Sequence, residues 1–247
     1  MVKILACLLL VVSSLSAEPL RIVSYNLHHG EGMDGKLDLE RLARIIAKEK
    51  PDLVALQEVD QKCKRSGNVE QAAELGRLLK MNHAFGKFMD YQGGEYGMAV
   101  LSRFPIEKVT RHVLPSGAEP RCALEVQIKP EGWTEHLSFV GIHLDWTEGG
   151  FRLKQVSRLV DLKGAVILAG DFNAEPGSPT LEILKKAGWE TLRKKSVKTC
   201  PADKPTHEID FFIVRGLPEF TYTERVIDER VASDHRPISA AISFSKK

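Results

Sequence analysis

Two polar side chains that could do chemistry, Asp171 and Asn173, follow an apolar run at residues 165–169. A run of this length with Gly170 at its exit predicts a buried strand that delivers the next residues to a sheet edge. Residues two apart on an extended chain share a face. A carboxylate can hold a divalent cation or orient a water, and an amide can donate to a phosphoryl oxygen. The pair therefore suits an anionic substrate, although the same stretch is also a common turn sequence.

Other strand-like segments end in the same way. The polar residues at or near such ends are Asn26, Glu58, His143, Asp171 with Asn173, and Asp234 with His235, while Asp210 lies within a further segment. Singly, each has an ordinary structural explanation as a loop acid, a turn residue or a core histidine. If they meet at one edge, four carboxylates share a small space, which requires a bound cation or protonation. We therefore predict Mg²⁺ or Mn²⁺, with Glu58 and Asp234 as direct ligands and Asn26 nearby.

The elements that position these residues alternate between strands and helices. A strand at 21–27, a helix that begins after Asp38 and stops before Pro51, and a strand at 53–56 form a βαβ unit. Further strands are predicted at 98–103, 121–126, 136–143, 165–169 and 208–214, and a last one after 231–238; further helices are predicted at 69–80 after an Asn68 cap, at 148–162, and from Ser178 to Gly188. Strands outnumber the scattered helices, which predicts a mixed-sheet α/β sandwich.

Residues 1–17 have the pattern of a secretory signal peptide. Lys3 precedes an apolar run at 4–12, and a segment rich in small residues leads to Ala17. The run is too short to span a bilayer comfortably. We expect cleavage after Ala17, one domain over residues 18–247 and a secreted or periplasmic location, with a lipid attached at Cys7 as an alternative.

Charge and cysteine content limit the class of partner. Removing Lys3 from the 35 basic residues leaves 34 against 33 acidic ones, a net charge of +1. No strong nucleic-acid or membrane signature results, and we expect a monomer. Cys63, Cys122 and Cys200 remain in the mature chain, and this odd number leaves at least one free thiol. Cys63 and Cys200 lie in polar stretches and are the candidate disulfide pair, whereas Cys122 fits a buried strand.

Seven short motifs, in order, resemble those of the endonuclease/exonuclease/phosphatase family, including its deoxyribonuclease I-like members. They lie at residues 24–26, 57–59, 97–103, 141–145, 170–173, 209–211 and 233–237. The resemblance covers about residues 20–242. It implies a four-layer α/β/β/α sandwich of two mixed sheets, and hydrolysis of a phosphoester by in-line attack of a Mg²⁺-activated water.

The resemblance also implies roles for individual residues. Glu58 would be the principal metal ligand, with Asn26 and Asp234 in or beside the coordination sphere. His235 would act as general base or polarise the phosphoryl group, and Asp210 would orient it. A carboxylate beside an imidazole raises its basicity and fixes its tautomer, which supports this dyad independently.

The remaining roles concern the water and the substrate. Asp171 would orient the attacking water, Asn173 would hold a phosphoryl oxygen, and His143 would stabilise the developing negative charge. Arg121 would contact the phosphate, although a surface salt bridge is an alternative. Tyr96 resembles a substrate-side residue of the exported bacterial branch, as do Arg65 and Glu95. His28 and His29 are expected at the rim.

Substrate identity stays open between several classes. A nuclease would use basic loops such as 62–65 and 193–195, and a sphingomyelinase-like phospholipase would need apolar loops, for which Trp146 is the candidate. A catalytically silent phosphate-binding module would have lost a metal ligand or the histidine of the dyad. A zinc hydrolase using His143 and His235 is disfavoured because hard oxygen ligands outnumber imidazoles. Cys200 and Glu208 stand where relatives often carry an aromatic residue and an arginine, a departure that bears on the substrate.

Overall fold

The structure, a computed structural model, describes residues 18–147, 150–193 and 198–245. The predicted signal peptide at 1–17 lies outside the described residues, as do Lys194 and Lys195 of one predicted basic loop. The strands are β1 Leu20–Asn26, β2 Leu53–Gln61, β3 Asn82–Tyr91, β4 Gly94–Ser102, β5 Lys108–Val113, β6 Cys122–Ile128, β7 Leu137–His143, β8 Ala165–Asp171, β9 Glu190–Thr191, β10 Asp210–Arg215, β11 Phe220–Val226 and β12 Ile238–Phe244. The helices are α1 Leu39–Lys48, α2 Gln71–Leu79, α3 Phe151–Val156 and α4 Pro179–Lys186. None of them combines the length and apolar character that a membrane span requires.

Two six-stranded mixed sheets form the centre of the molecule. The first has the strand order β11-β12-β1-β2-β4-β3, and the second has the order β5-β6-β7-β8-β10-β9. Each contains one parallel pair, β1 with β2 and β7 with β8, and its other pairs are antiparallel. The two strands of a parallel pair run in the same direction. The residues that follow β1 and β2 therefore lie at one edge of the first sheet, and those that follow β7 and β8 lie at one edge of the second.

Three apolar cores separate four layers, which confirms the predicted sandwich. Side chains such as Ile22, Met98 and Phe139 fill the space between the sheets. One outer core joins the first sheet to α1 and α2, and the other joins the second sheet to α3 and α4. Both faces of the central strands are buried, which explains why β2 and β8 appear in the sequence as continuous apolar runs.

Local sequence signals account for two helix starts. Asp38 caps α1, because its side chain accepts a hydrogen bond of 2.7 Å from the backbone N–H of Arg41. Ser178 occupies the cap position of α4, with Pro179 as the first helical residue. Both starts agree with the sequence analysis.

Two predicted helices were misplaced. Helix α2 begins at Gln71, with Glu70 at the cap position, and not at residue 69 after an Asn68 cap. Residues 69 and 70 are not helical, because Lys62 N–H donates to Val69 O and Glu70 pairs with Gln61 at the end of β2. Helix α3 covers Phe151–Val156 only, and the turns after it have i→i+3 hydrogen bonds of the 3₁₀ type. The start predicted at 148 lies outside the described residues.

Strands β3 and β11 were not predicted. Both lie at sheet edges; residues of β3 alternate mostly between buried and half-buried, and those of β11 alternate between half-buried and exposed, so neither has the continuous apolar run of a central strand.

The proposed disulfide between Cys63 and Cys200 is wrong, because Cys63, Cys122 and Cys200 are free. Cys63 is fully buried with its thiol 3.2 Å from Tyr91 O, so it does not lie in an exposed polar loop.

Candidate active site

The register of the second sheet places three predicted residues side by side. Asp171 at the end of β8 is the direct partner of His143 on β7 and of Asp210 on β10. All three side chains are at least nine-tenths buried. Residues separated by up to 67 positions in sequence therefore become neighbours through strand pairing alone.

A bulge in the first sheet presents Glu58. Asn26 is opposite Gln57 in the β1–β2 ladder, and the β2–β4 register shifts between Leu56 and Val59. Glu58, within this bulge, has φ +55°, a left-handed conformation that costs a non-glycine residue on the order of 1 kcal/mol. The bulge removes Glu58 from the regular alternation and directs its carboxylate to Asn26.

The amide of Asn26 joins the two sheets. Its Nδ2 donates to Glu58 Oε1 at 3.1 Å and lies 3.4 Å from Asp171 Oδ2. Its Oδ1 accepts a hydrogen bond of 3.1 Å from the backbone N–H of His28. The two sheet edges that the sequence predicted to meet are thus in direct contact.

The Asp171 carboxylate is the centre of the cluster. Its Oδ2 lies 3.6 Å from His143 Nε2 and 3.7 Å from His235 Nε2, and its Oδ1 accepts a hydrogen bond of 2.8 Å from Asn173 N–H. Burial, followed by the charge of Asp210, raises the pKa of Asp171 to about 7. Gly170 makes this exit possible, because a Cβ there would lie 2.0 Å from Ile142 O and its φ is +153°.

His235 and Asp210 form the predicted dyad, and a third residue supports them. His235 Nδ1 lies 3.0 Å from Asp210 Oδ2, which also accepts a hydrogen bond of 2.5 Å from Thr199 Oγ1. Burial alone would lower the pKa of His235, but the charge and hydrogen bond of Asp210 raise it well above its ordinary value. The ring therefore keeps Nδ1 on Asp210 and turns Nε2 to Asp171.

Ser233 fixes the segment that carries Asp234 and His235. Its hydroxyl donates to Asn26 O at 2.7 Å, and it accepts a hydrogen bond of 3.3 Å from His235 N–H. This last loop is thereby attached to the end of β1. Burial, followed by the charge of Asp234, raises the pKa of Glu58. Two carboxylates thus lie close enough to repel each other beside the Asn26 amide.

The donor set of Asn26, Glu58 and Asp234 fits a hard divalent cation. A cation would relieve the repulsion that Glu58 experiences, and its oxygen ligands are those that Mg²⁺ and Mn²⁺ prefer. Ligand atoms of Asp171, Asp210 and His235 also lie within 4.8 Å of one another. In that second group the His235 imidazole is already hydrogen-bonded to Asp210, so we interpret the group as one that binds and transfers protons.

His143 and Arg121 carry buried polar atoms that have no partner among the described residues. These atoms are Nδ1 of His143 and both Nε and Nη1 of Arg121. Burial, with the charge of Arg121 next, lowers the pKa of His143 well below its ordinary value. Arg121 Nη2 pairs with Glu119 Oε2 at 3.0 Å, so part of the guanidinium is satisfied and part is available to a ligand. The surface salt bridge considered for Arg121 is thus incomplete as an explanation.

A pocket of about 270 Å³ opens over this cluster. Its lining includes the predicted residues Glu58, Tyr96, Arg121, His143, Asp171, Asn173 and His235. Asn173 donates from Nδ2 to Leu144 O at 3.0 Å, and its φ of +47° is left-handed. Asn26, Asp210 and Asp234 are not among the described lining residues; Asn26 contacts Asp171, Asp210 contacts His235, and the partly exposed Asp234 accepts a hydrogen bond from Ser233. Burial raises the pKa of Tyr96, so its phenol stays protonated.

Four residues at the site were not identified from sequence: Thr199 beside Asp210, and Met89, Tyr91 and Glu119 in the pocket lining. Thr199 is a lone polar residue in a loop, and nothing in one sequence distinguishes it. His29 was expected at the rim but is 9% exposed. Arg65 also lines the pocket, whereas Glu95 instead contacts Gln61 and Lys87. Glu208 is held by a bidentate pair with Arg193, and the described pocket lining does not include it.

Comparison with known proteins gives consistent matches. Residues 23–235 match the model of the endonuclease/exonuclease/phosphatase family. The uncharacterized protein YbhP of Escherichia coli K12 is 26% identical over 242 residues, covering 90% of this chain and 95% of YbhP. A Beutenbergia cavernae endonuclease/exonuclease/phosphatase structure has a TM-score of 0.75 at 21% identity, covering 93% of this chain and 72% of that one. The mannosyl-6-phosphatase Bt3783 of Bacteroides thetaiotaomicron has a TM-score of 0.72 at 18% identity, covering 91% and 100%. At these identities the structures show a shared fold.

Proposed function

The chain belongs to the endonuclease/exonuclease/phosphatase family, whose members are generally phosphoester hydrolases, and from this premise we propose a more specific activity. The protein is an exported, divalent-metal-dependent phosphoesterase that hydrolyses a phosphodiester or a phosphomonoester by in-line attack of water. The observation that carries the proposal is the Asp171 carboxylate, which two imidazoles and one amide approach within 3.7 Å. The predicted signal peptide at residues 1–17 supports export.

The metal would be held by Glu58 and Asp234 with Asn26 beside them. When bound, Mg²⁺ or Mn²⁺ would polarise the phosphoryl group and neutralise charge that develops on its oxygens. The residues of the chain then divide the remaining tasks. Asn26 spans the distance between Glu58 and Asp171, and so keeps the metal side of the pocket in register with the water side.

Asp171 orients the attacking water. Its Oδ1 is fixed by Asn173 N–H at 2.8 Å, so Oδ2 remains the atom that faces the pocket and both imidazoles. A carboxylate held in one orientation can position a water for in-line attack at a lower entropic cost than a freely rotating one.

His235 and His143 hold protons next to the scissile group. Asp210 fixes Nδ1 of His235, which leaves Nε2 to donate to a phosphoryl oxygen. His143 Nε2 lies 3.6 Å from the same Asp171 oxygen, and Arg121, with two guanidinium nitrogens that have no partner among the described residues, lines the same pocket. Donors that are already oriented in a site with little water stabilise transition-state charge most effectively.

The test compares active-site variants with matched surface variants. We expect Glu58→Gln and His235→Ala to lower kcat at least about 100-fold with bis-p-nitrophenyl phosphate and p-nitrophenyl phosphate. Glu131→Gln and His136→Ala are controls, because both residues are exposed. Circular dichroism would establish that all four variants fold.

A separate experiment tests whether turnover depends on a divalent metal. EDTA should abolish turnover by the mature protein, and Mg²⁺ or Mn²⁺ should restore it. Restoration by Zn²⁺ alone would favour the zinc hydrolase that the sequence analysis disfavoured. Wild-type turnover by Glu58→Gln or His235→Ala would refute the proposal.

A further inference from the structure

The pocket has a second wall that the hydrolytic chemistry above leaves largely unused. This wall consists of aromatic rings, two guanidinium groups and a carboxylate. Its members are Arg65, Tyr91, Tyr96, Glu119, Arg121 and Trp146. A wall of this composition recognises the part of a substrate that is not the phosphoryl group.

Trp146 is an exposed aromatic ring at this wall. Trp146 is 61% exposed, and the other large apolar residues that are exposed in the described ranges are aliphatic. Trp133 packs against Phe244 with ring centroids 4.9 Å apart, and Trp189 is 4% exposed. An indole left in water at the mouth of a pocket offers a flat surface on which a ligand ring can stack.

The backbone around Trp146 is held in place. The buried Asp145 carboxylate accepts hydrogen bonds from Ala118 N–H at 2.8 Å and from Thr147 N–H at 2.9 Å. Arg152 Nη1 lies 3.2 Å from Trp146 O. The backbone at residues 145–147 is therefore held by hydrogen bonds, so a ligand that packs on the indole does not have to order that backbone first.

The guanidinium groups of the wall are neutralised by carboxylates. Arg65 donates two hydrogen bonds of 2.8 Å to Asp60, and its guanidinium carbon lies 4.5 Å from the centre of the Tyr91 ring. Arg121 pairs with Glu119 at 3.0 Å. A wall of ion pairs has no excess positive charge, so it does not favour a long polyanion such as a nucleic-acid backbone.

From these features we infer that the leaving group is a single ring-bearing alcohol, a monosaccharide or a nucleoside, whose ring face stacks on Trp146. A pocket of about 270 Å³ is small for a ligand site and suits one such unit. Glu119 and Arg65 would bond the polar edge of the ring. This inference rests on the proposed phosphoesterase function, and it adds the class of substrate.

Kinetics on three phosphomonoesters test the inference. Glucose 6-phosphate carries a sugar ring, AMP adds a nucleobase, and glycerol 1-phosphate has no ring. We expect Trp146→Ala to raise KM about tenfold for glucose 6-phosphate or AMP, with kcat retained and KM for glycerol 1-phosphate changed less than twofold. Trp146→Phe should keep most of the affinity. The probe that loses more identifies the sugar or the base as the stacked ring, and Trp133→Phe is the matched control.

Several outcomes would overturn the inference. The first is a KM of Trp146→Ala for glucose 6-phosphate and AMP that stays within twofold of wild type. The second is an equal rise of KM for glycerol 1-phosphate. The third is a Trp146→Ala variant that loses binding to phosphatidylcholine vesicles while its KM for the two ring substrates is unchanged. Failure of the wild type to hydrolyse all three of these esters, and also bis-p-nitrophenyl phosphate and p-nitrophenyl phosphate, would count against the proposed function alone. Intrinsic fluorescence would then decide the inference: quenching by AMP or glucose 6-phosphate that disappears in Trp146→Phe but persists in Trp133→Phe supports it, and absence of quenching in the wild type refutes it.

Discussion

Replacing Thr199 with valine should damage catalysis without damaging the fold. Thr199 is fully buried, and its hydroxyl donates to Asp210 Oδ2 at 2.5 Å, the same oxygen that bonds His235 Nδ1 at 3.0 Å. Valine has nearly the same shape as threonine but donates no hydrogen bond. Asp210 would lose one of the two side-chain hydrogen bonds that the described residues make with it, and its hold on His235 would weaken.

The magnitude follows from the kind of hydrogen bond that is removed. A hydrogen bond to a charged group contributes about 1.5–3 kcal/mol. If all of that energy orients His235 in the transition state, kcat falls roughly 10-fold to 150-fold. KM should change little, because Thr199 does not appear among the described residues that line the pocket.

The assay is steady-state hydrolysis of p-nitrophenyl phosphate by wild type, Thr199→Val and Thr199→Ser, with thermal unfolding measured in parallel. Thr199→Ser keeps the hydroxyl and should recover most of the lost kcat, whereas a purely structural role would track the loss of a methyl group instead. Activity of Thr199→Val within twofold of wild type would refute the reasoning. Equal damage in the serine and valine variants would refute it as well.

Two further predictions concern stability and thiols. Glu125 accepts hydrogen bonds from His112 and Ser138, and the His112 bond holds its pKa at about 2, below an ordinary value of 4.5. The ionised Glu125 carboxylate contributes roughly 3 kcal/mol to the free energy of unfolding above pH 5, and this contribution is lost as the pH falls towards 2. In urea unfolding, Glu125→Gln should therefore lose less stability than wild type between pH 7 and pH 3. Equal losses in the two proteins would contradict this prediction. Maleimide should label the native protein at the partly exposed Cys200 but not at the buried Cys63. A disulfide between Cys63 and Cys200, found by mass spectrometry of the unreduced protein, would contradict the structure.

The sequence predicted the central strands well because both of their faces are buried. The apolar runs that precede Glu58 and Asp171 predicted strands of the interior, and the polar residues after them marked the ends of those strands. That pattern led to the correct layers and to the residues that meet at the sheet edges. Edge strands β3 and β11 were missed because one face of each is solvated, which leaves a weak signal.

Features that depend on three-dimensional contact could not be predicted. The bulge that presents Glu58 depends on how β2 pairs with β4, and one strand alone does not specify such a shift. Thr199 acquires its place only when its loop packs against Asp210. Cys63 lies among charged residues in sequence and was expected in a polar loop, yet its thiol is buried and lies 3.2 Å from Tyr91 O.

The two parallel strand pairs explain why this site can exist at all. The first pair delivers Asn26 and Glu58, and the second delivers His143 and Asp171. In each pair, parallel direction brings two exits to one edge, and packing of the two sheets brings the edges together. The resulting cluster is unfavourable in isolation, because burial raises the pKa values of Glu58 and Asp171 and Glu58 adopts a left-handed backbone. The ladders and cores of both sheets must hold it, so the candidate site residues depend on the buried central strands for their position.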